Sequence, residues 1–366
     1  MWITSSLAAA KGPAQIALGN FDGVHLGHQQ VMAQILCEPL SKGNGQAPQA
    51  AASQADTSQK ATNNVSIQAF HSGILASGYS YLSSDTSTNG SSSAIALPVG
   101  PPLPASGHYA TVVTFSPHPH EYFSGVARPL LTPVAEKIWR LSQLGIHQLI
   151  MLPFDRSLAE LSPQAFVEDI LIDGLQAKKI SVGSDFHFGK GRTGNAQNLT
   201  EIAGTHKVPV VQVPLRQLKG DRISSSQIRE ALNDGNPTVA AELLGRAYTL
   251  TGRVVQGQQL GRTIGFATAN LSIPIKKYLP RKGVYSVWAF GADSEPVKGV
   301  MNIGNRPTVA GQTLSIEVHL LNWTGNLYGK VLTVSLEQFI RPEQKFSSLA
   351  QLKSQIAKDC DVARHT

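Results

Sequence analysis

Residues 1–234 alternate short apolar runs with amphipathic stretches. The apolar runs predict strands at 14–18, 110–115, 148–152, 179–182 and 209–213. The stretches at 133–144 and 163–172 carry apolar residues at helical spacing. Because strands that alternate with helices are typical of a parallel sheet with crossover helices, we predict an α/β domain over residues 1–234.

A different pattern begins at residue 235. After a helical stretch at 237–244, apolar runs follow one another and are separated by turns rich in Gly and Pro. These runs predict strands at 248–255, 283–289, 297–303, 315–321 and 331–339. We therefore predict a second domain, 235–366, formed by a small antiparallel β-barrel with a last helix at 348–358. Two domains also suit a chain of 366 residues.

Residues 41–106 fit neither pattern. They are rich in Ser, Ala, Gln, Asn, Gly and Pro, and their only formal charges are Lys42, Asp56, Lys60 and Asp85. Such a segment cannot bury enough apolar surface to order itself, so we predict a disordered insertion. It joins the first helix to the second strand, and we expect it at the sheet edge opposite the ligand edge.

Composition limits the cellular compartment and the classes of partner that we expect for the protein. The two cysteines, Cys37 and Cys360, are too few for a disulfide framework or a thiolate metal site, which favours a reducing compartment and the cytoplasm. No apolar run reaches membrane-spanning length, so no membrane partner is expected. The net charge of +7 favours anionic small molecules. Because the basic residues are scattered, no nucleic-acid partner is predicted, and a homo-oligomer is left open.

The most informative motif lies between the first strand and the first helix. Residues 19–28 read GNFDGVHLGH. The glycines let a ligand approach the backbone, and the helix start offers N–H groups and a positive dipole end to an anion. His25 and His28 are three residues apart, so they can lie on one helix face and donate to the same phosphates. A helix cap or a metal pair is the alternative, and the glycine-rich string favours phosphate chemistry.

The string 19–28 matches the nucleotidyltransferase motif with its His-x-Gly-His core. The N-terminal half resembles the FMN adenylyltransferase module of bacterial bifunctional riboflavin kinase/FAD synthetases. Three further strings agree with it, TFSPHP at 114–119, VGSDFHFG at 182–189 and ISSSQIR at 223–229. The resemblance implies a Rossmann-like nucleotidyltransferase domain. It implies catalytic roles for His25 and His28, nucleotide binding by Gly19, Asn20, Phe21, Asp22, Gly23, Ser224, Ser225 and Arg229, and flavin binding by Asp185.

Two other motifs in this half are weak. Residues 189–194, GKGRTG, satisfy a dinucleotide-binding pattern but do not lie in the first strand–helix turn. They also lack the Ser or Thr of a phosphate-binding loop, so we interpret them as a mobile basic loop over the site. His118 and His120 lack a third metal ligand at suitable spacing.

The C-terminal half carries a second set of motifs. Residues 261–270, GRTIGFATAN, alone would be an ordinary glycine turn. With KGVMNIGNRPT at 298–308, IEVHL at 316–320 and RPE at 341–343, they resemble the riboflavin kinase module. The resemblance implies nucleotide binding by Gly265, Thr268 and Asn270, Mg²⁺ binding by Thr268 and Asn270, a general base at Glu317, and flavin binding by Arg341. For Glu317 a solvent-facing strand residue is the alternative.

The two reactions differ in whether the nucleophile needs a general base. A ribityl hydroxyl is a poor nucleophile until a base removes its proton, whereas the phosphate of FMN is already anionic. The implied function is ATP-dependent phosphorylation of riboflavin to FMN, followed by adenylylation of FMN to FAD with release of pyrophosphate. ATP, riboflavin, FMN and FAD are then substrates or products, and Mg²⁺ is the cofactor.

The kinase half departs from its family at Ala267, where the family usually has Pro, and at Asn322, where Asp is common. Losing that proline loosens the loop that positions Thr268. One alternative is therefore that only the adenylyltransferase half is active and the barrel binds flavin. Two others are a nucleotidyltransferase for a different acceptor and a flavin carrier or regulator without turnover.

Overall fold

A computed structural model describes residues 1–36, 104, 107–257, 261, 264–308 and 311–366, without the side chains at 306–308 and 311–313. Apart from Pro104, the predicted insertion at 41–106 lies outside the described residues. The described chain forms two compact units, which meet in sequence between Ser224 and Ser225. The predicted domain boundary after residue 234 stays a prediction.

The first unit, which we call the α/β unit, contains ten strands among its described residues. They are β1 (Trp2–Thr4), β2 (Ala14–Leu18), β3 (Tyr109–Ser116), β4 (Gln148–Pro153), β5 (Ala177–Gly183), β6 (His187–Phe188), β7 (Gly194–Asn195), β8 (Val210–Val213), β9 (Gln217–Leu218) and β10 (Asp221–Arg222). Six of them form one parallel sheet in the order β1-β4-β3-β2-β5-β8. The predicted parallel sheet is confirmed, with the short β1 as an added edge strand.

Helices cover both faces of this sheet. They are α1 (Leu26–Leu36), α2 (Pro119–Ser124), α3 (Val134–Gln143), α4 (Arg156–Ala159), α5 (Pro163–Ala165), which continues as a π-helix over Phe166–Gly174, and α6 (Ala196–Thr205). Neighbouring strand residues point to opposite faces, so Ile16 packs in one apolar core and Ala17 in the other. The π-helix and α6 pack in the first core and α1 in the second.

The second unit, which we call the barrel unit, combines strands and helices. They are α7 (Ser225–Asn233), α8 (Pro237–Leu244), β11 (Thr249–Val255), β12 (Ala269–Ser272), β13 (Gly283–Phe290), β14 (Val297–Thr308), β15 (Gly311–Leu320), β16 (Val331–Arg341) and α9 (Leu349–His365). The strands close into an antiparallel barrel in the order β11-β12-β15-β14-β13-β16. The predicted barrel and last helix are confirmed, and α9 packs on the barrel through Cys360 and Ala363.

Among the helices in the described part of the chain, none is both long and apolar enough to cross a membrane.

Candidate active sites

The loop between β2 and α1 has an unusual backbone. Phe21, Gly23 and Val24 all have positive φ angles, of 49°, 89° and 44°. Glycine adopts this conformation freely, but for Phe21 and Val24 it costs roughly 1–3 kcal/mol each. Both side chains are almost fully buried in the core beside the sheet. Their packing therefore holds the backbone of the Gly19–Gly23 segment in a strained path.

Hydrogen bonds from a neighbouring segment fix the middle of this loop. The carboxylate of Asp22 accepts from the backbone N–H of Thr132 at 3.1 Å. The hydroxyl of Thr132 in turn accepts from the backbone N–H of Gly23 at 2.9 Å. Asp22 and Thr132 are both buried. In this structure the predicted nucleotide-binding residue Asp22 thus holds the loop to its neighbour.

Two side chains donate hydrogen bonds to the carbonyl of Asn20. It accepts from the Thr114 hydroxyl at 3.1 Å and from the ammonium of Lys137 at 2.9 Å. Lys137 lies on α3 and is buried. Sequence reasoning missed it because a lysine in an amphipathic helix is normally assigned to the solvent face.

The two histidines of the motif lie side by side. The ring centroids of His25 and His28 are 3.5 Å apart and the rings are nearly parallel. Nδ1 of His25 accepts from the backbone N–H of His28 at 3.2 Å, so His25 also caps α1. A ring nitrogen that accepts carries no proton, which assigns the proton of neutral His25 to Nε2. Capping and donation to a phosphate therefore use different atoms of the same ring.

Gly27 makes room for this arrangement. A Cβ atom at Gly27 would lie 3.2 Å from Cε1 and 3.3 Å from Nδ1 of His25, which is closer than ordinary packing. It would also lie 3.8 Å from the carbonyl oxygen of Ile223. Glycine therefore suits the third position of the His-x-Gly-His core, because the His25 ring occupies the space that a side chain would need.

His118 lies at the carboxyl end of β3 and caps α2. Its ring accepts from the backbone N–H of His120 at 3.1 Å. Burial, and then the positive charge of Arg128, lower the pKa of His118 to about 4, against an opposing effect of Asp22. His118 is therefore neutral at physiological pH. Over the residues that the structure describes, no group of three or more His, Cys, Asp or Glu residues could hold a metal ion.

An aromatic cluster lies at the carboxyl ends of β3 and β4. Phe154 contacts Phe115, Tyr122 and Phe123 with ring centroids 5.4–5.8 Å apart. Phe123 is 70% exposed and nearby Val126 is 67% exposed. An exposed apolar surface of this kind often marks a binding site. The sequence analysis did not predict this cluster, although Tyr122 and Phe123 lie only three and four residues after the TFSPHP string.

Asp185 follows β5 and forms an ion pair with Arg222 of β10. Both side chains are about half exposed. Asp185 therefore lies at the ligand edge of the sheet, as expected for a residue just past a strand end. The basic loop at 189–194 follows β6 and contains a short 3₁₀ helix at Lys190–Arg192.

Ser225 and Arg229 belong to the barrel unit, whereas Ser224 ends the α/β unit. Ser225 is the first residue of α7. The guanidinium of Arg229 donates to the carbonyl of Ser225 at 3.2 Å and lies 5.4 Å above the ring of Tyr278. Contact of these residues with ATP phosphates stays a prediction.

Three residues of the predicted kinase site come together in the barrel unit. The hydroxyl of Thr268 donates to Oε2 of Glu317 at 3.2 Å, and the hydroxyl of Ser315 donates to Oε1 at 3.0 Å. Asn270 lies directly opposite Glu317 across the β12–β15 ladder. Both carboxylate oxygens of Glu317 are thus held by hydroxyl groups, which argues against a plain solvent-facing residue.

Asn302 lies on the next strand, β14, and the carboxylate of Glu343 approaches that strand at Gly304. Asn302 of β14 lies opposite Glu317, so Asn270, Glu317 and Asn302 form a row across three strands. A side chain at Gly304 would collide with the carboxylate of Glu343. Gly304 therefore leaves room for a second carboxylate beside the row. The sequence predicted a site role for neither Asn302 nor Glu343.

The loop before Thr268 has its own supports. Nδ1 of His319 lies 2.9 Å from the carbonyl oxygen of Ala267, and the His319 ring contacts Phe266 edge to face. Gly265 has a φ of 89°, which favours glycine. Asn322 has a φ of 53°, and asparagine tolerates this conformation as aspartate does. The departure at Asn322 is therefore compatible with the local backbone.

Arg341 has structural partners. Its guanidinium makes a bidentate ion pair with Asp359 of α9, with contacts from 2.8 to 3.1 Å. The amide of Gln355 also donates to Asp359 at 2.9 Å. Because Asp359 is buried, this pair joins α9 to the end of β16. Flavin binding by Arg341 stays a prediction beside this structural role.

Both halves of the chain match family models. The model described as FAD synthetase matches residues 7–45 and 104–227, and the one described as Riboflavin kinase matches 244–366. The "Bifunctional riboflavin kinase/FMN adenylyltransferase" of Escherichia coli K12 is 42% identical over 255 residues, which are 69% of this chain and 81% of that protein. The protein of the same name from Pseudomonas fluorescens is 39% identical over 254 residues, with the same coverage.

One solved structure has a similar fold. The "Crystal Structure of Macrolide-efflux Protein from Streptococcus pneumoniae" matches with a TM-score of 0.72 and 24% identity, over 100% of this chain and 98% of that one. This similarity bears on the fold alone. The family models and the bacterial relatives lead to one conclusion: the chain belongs to the family of bifunctional riboflavin kinase/FMN adenylyltransferases.

Proposed function

We propose that this chain makes flavin coenzymes in two steps. The barrel unit phosphorylates riboflavin to FMN, and the α/β unit joins FMN to the AMP part of ATP to give FAD. The observation that carries the proposal is that each family match coincides with a built polar site. One is the loop with its stacked histidines, and the other is the Glu317 carboxylate between two hydroxyls.

In adenylyl transfer, a phosphate oxygen of FMN attacks the α-phosphorus of ATP. The new P–O bond forms as the bond to pyrophosphate breaks, and negative charge grows on the α-phosphate and on the leaving group. The Nε2–H of His25, the backbone N–H groups of the loop and the start of α1 can donate to that charge. No base is needed because the attacking phosphate is already anionic.

The aromatic cluster supplies a place for the flavin ring. Tyr122, Phe123 and Phe154 present rings at the same sheet edge as the loop at 19–25, which we call the phosphate loop. A planar apolar ring system that covers Phe123 would explain why so exposed an aromatic side chain is found there.

In phosphoryl transfer, Glu317 takes the proton from the terminal ribityl hydroxyl of riboflavin. The oxygen then attacks the γ-phosphorus of ATP, and ADP leaves. The hydroxyls of Thr268 and Ser315 fix the orientation of the carboxylate before the substrate arrives.

The same residues fit Mg²⁺. The Thr268 hydroxyl and the Asn270 side chain offer oxygen ligands beside the Glu317 carboxylate, and oxygen donors are what this cation prefers. When bound with ATP, Mg²⁺ would neutralise charge that develops on the phosphates. The expected cytoplasmic location, absence of a nucleic-acid partner and homo-oligomer stay predictions.

Separate assays of the two half-reactions test this proposal. With riboflavin, ATP and Mg²⁺, we expect ADP in an amount equal to FMN and FAD together, because FMN is adenylylated further in the same mixture. With FMN supplied instead, we expect FAD and pyrophosphate in equal amounts. If riboflavin bound without ADP release while FMN was still converted, only the adenylyltransferase half would be active and the barrel would be a flavin-binding unit.

A further inference from the structure

Lys137 is a buried cation that none of the proposed steps uses. It lies on α3 with only 9% of its surface exposed, and its ammonium donates to the carbonyl of Asn20 at 2.9 Å. Removing an ammonium from water is costly unless it is paired and hydrogen-bonded. Methionine would fill similar space without that cost, so packing alone does not explain a lysine here.

The contact of Lys137 orients one peptide of the phosphate loop. The Thr114 hydroxyl donates to the same Asn20 carbonyl at 3.1 Å, so two buried donors pull this oxygen inwards. The peptide between Asn20 and Phe21 is trans, and the C=O and N–H of a trans peptide point in opposite directions. The N–H of Phe21 is therefore directed away from the interior.

The charge of Lys137 acts on its surroundings. Burial lowers the pKa of Lys137, and the carboxylate of Asp22 opposes this effect. The charge of Lys137, together with that of Arg128, also contributes to the lowered pKa of His118. Arg128 and the Lys137 ammonium thus add to a positive field around His118, just past the carboxyl end of β3.

Building on the adenylyl transfer proposed above, we propose that Lys137 is a positioning residue for the ATP phosphates. Its ammonium fixes the Asn20–Phe21 peptide and polarises it. A hydrogen bond from a charged donor to a carbonyl strengthens the donor at the other end of the same peptide. The loop N–H groups then face the phosphates in place, without reorganisation, when charge develops in the transition state.

The first test compares two lysines that make the same kind of hydrogen bond. Lys179 also donates to a carbonyl, that of Gln34 at 2.6 Å, but at the far end of α1. Lys137→Met should lower kcat for FAD formation from FMN and ATP by about tenfold or more, since donors to the transition state lose alignment. Lys179→Met should stay within about twofold of the wild type. Riboflavin phosphorylation by the same chains reports that the barrel unit is intact.

A pH profile separates positioning by charge from simple packing. If the protonated ammonium is needed, kcat for FAD formation falls as the pH rises through the lowered pKa of Lys137. In Lys137→Arg the guanidinium stays charged throughout the range in which the lysine loses its proton. The fall of kcat at alkaline pH should therefore move to higher pH. His118 titrates near pH 4 and does not contribute to that limb.

Two further measurements keep the inference testable. If Lys137→Met does not fold, Thr114→Val removes the other donor to the Asn20 carbonyl with little change of shape and should also lower kcat. Calorimetric binding of inorganic pyrophosphate to the full chain should weaken in Lys137→Met but not in Lys179→Met. If the wild type made no FAD, the proposed function would fail, and this binding comparison would still decide the inference.

Equal FAD turnover and equal pyrophosphate binding in Lys137→Met and Lys179→Met would overturn the proposal. An alkaline limb that stays in place in Lys137→Arg would do the same.

Discussion

Replacing His25 with asparagine separates two tasks that this imidazole performs. Nδ1 of His25 caps α1 by accepting the His28 N–H at 3.2 Å, and we propose that Nε2 donates to a phosphate. Asparagine is among the best N-cap residues, so His25→Asn can accept the same N–H but is too short to replace Nε2. His25→Ala removes both functions.

The expected magnitudes differ for stability and for catalysis. Loss of an N-cap costs about 1 kcal/mol, so His25→Ala should lower the Tm of the α/β unit by roughly 2–4 °C. His25→Asn should keep most of that stability. Loss of one preformed donor to transition-state charge typically costs about 100- to 1000-fold in kcat, so both variants should lose FAD formation to this extent.

The assay combines thermal unfolding with chromatography of the flavins formed from FMN and ATP. Riboflavin phosphorylation in the same samples is the internal control, since His25 lies outside the barrel unit. Near-normal FAD formation by His25→Asn would refute the reasoning, because it would mean that His25 serves only as a cap.

Three other substitutions test the remaining assignments. Glu317→Gln keeps the size of the side chain and removes its basicity, so riboflavin phosphorylation should fall by about 100-fold or more while supplied FMN is still converted; normal kinase turnover would exclude Glu317 as the base. Phe123→Ala should raise KM for FMN about tenfold without destabilising the fold, because the ring is exposed, and an unchanged KM would place the flavin elsewhere. Ala267→Pro should preserve or raise kinase activity, since the carbonyl that contacts His319 is retained, whereas a collapse would show that this backbone cannot accept the fixed φ of proline.

Segments bounded by clear turn or capping residues were the most predictable part of the fold. The strand Ala14–Leu18 and the helix Pro237–Leu244 begin and end as the sequence indicates, because a glycine follows each of them and Asn236 caps the helix. The three-residue β1 and four-residue β12 are absent from the prediction, since so few residues show no periodicity. They exist because neighbouring strands supply their hydrogen bonds.

The site residues within motifs could be predicted from the sequence. The backbone conformations and the distant hydrogen-bond partners that position them could not. The adjacency of His25 and His28 follows from helical geometry and the glycine-rich string. The positive φ of Val24 could not be predicted, since a β-branched residue avoids that conformation unless its surroundings impose it. Lys137 comes from a distant helix, and its partner is a backbone carbonyl, which leaves no trace in the sequence of the loop. The same holds for the pairing of Arg341 with Asp359.

An isotope experiment tests the central claim most directly. The purified chain is incubated with riboflavin, Mg²⁺ and ATP labelled with ³²P at either the α- or the γ-phosphate, and the flavins are separated over time. Two active sites predict that γ-label enters FMN and is retained in FAD, whereas α-label enters FAD alone. Absence of γ-label from FMN, or of α-label from any flavin, would contradict the assignment of the two reactions to this chain.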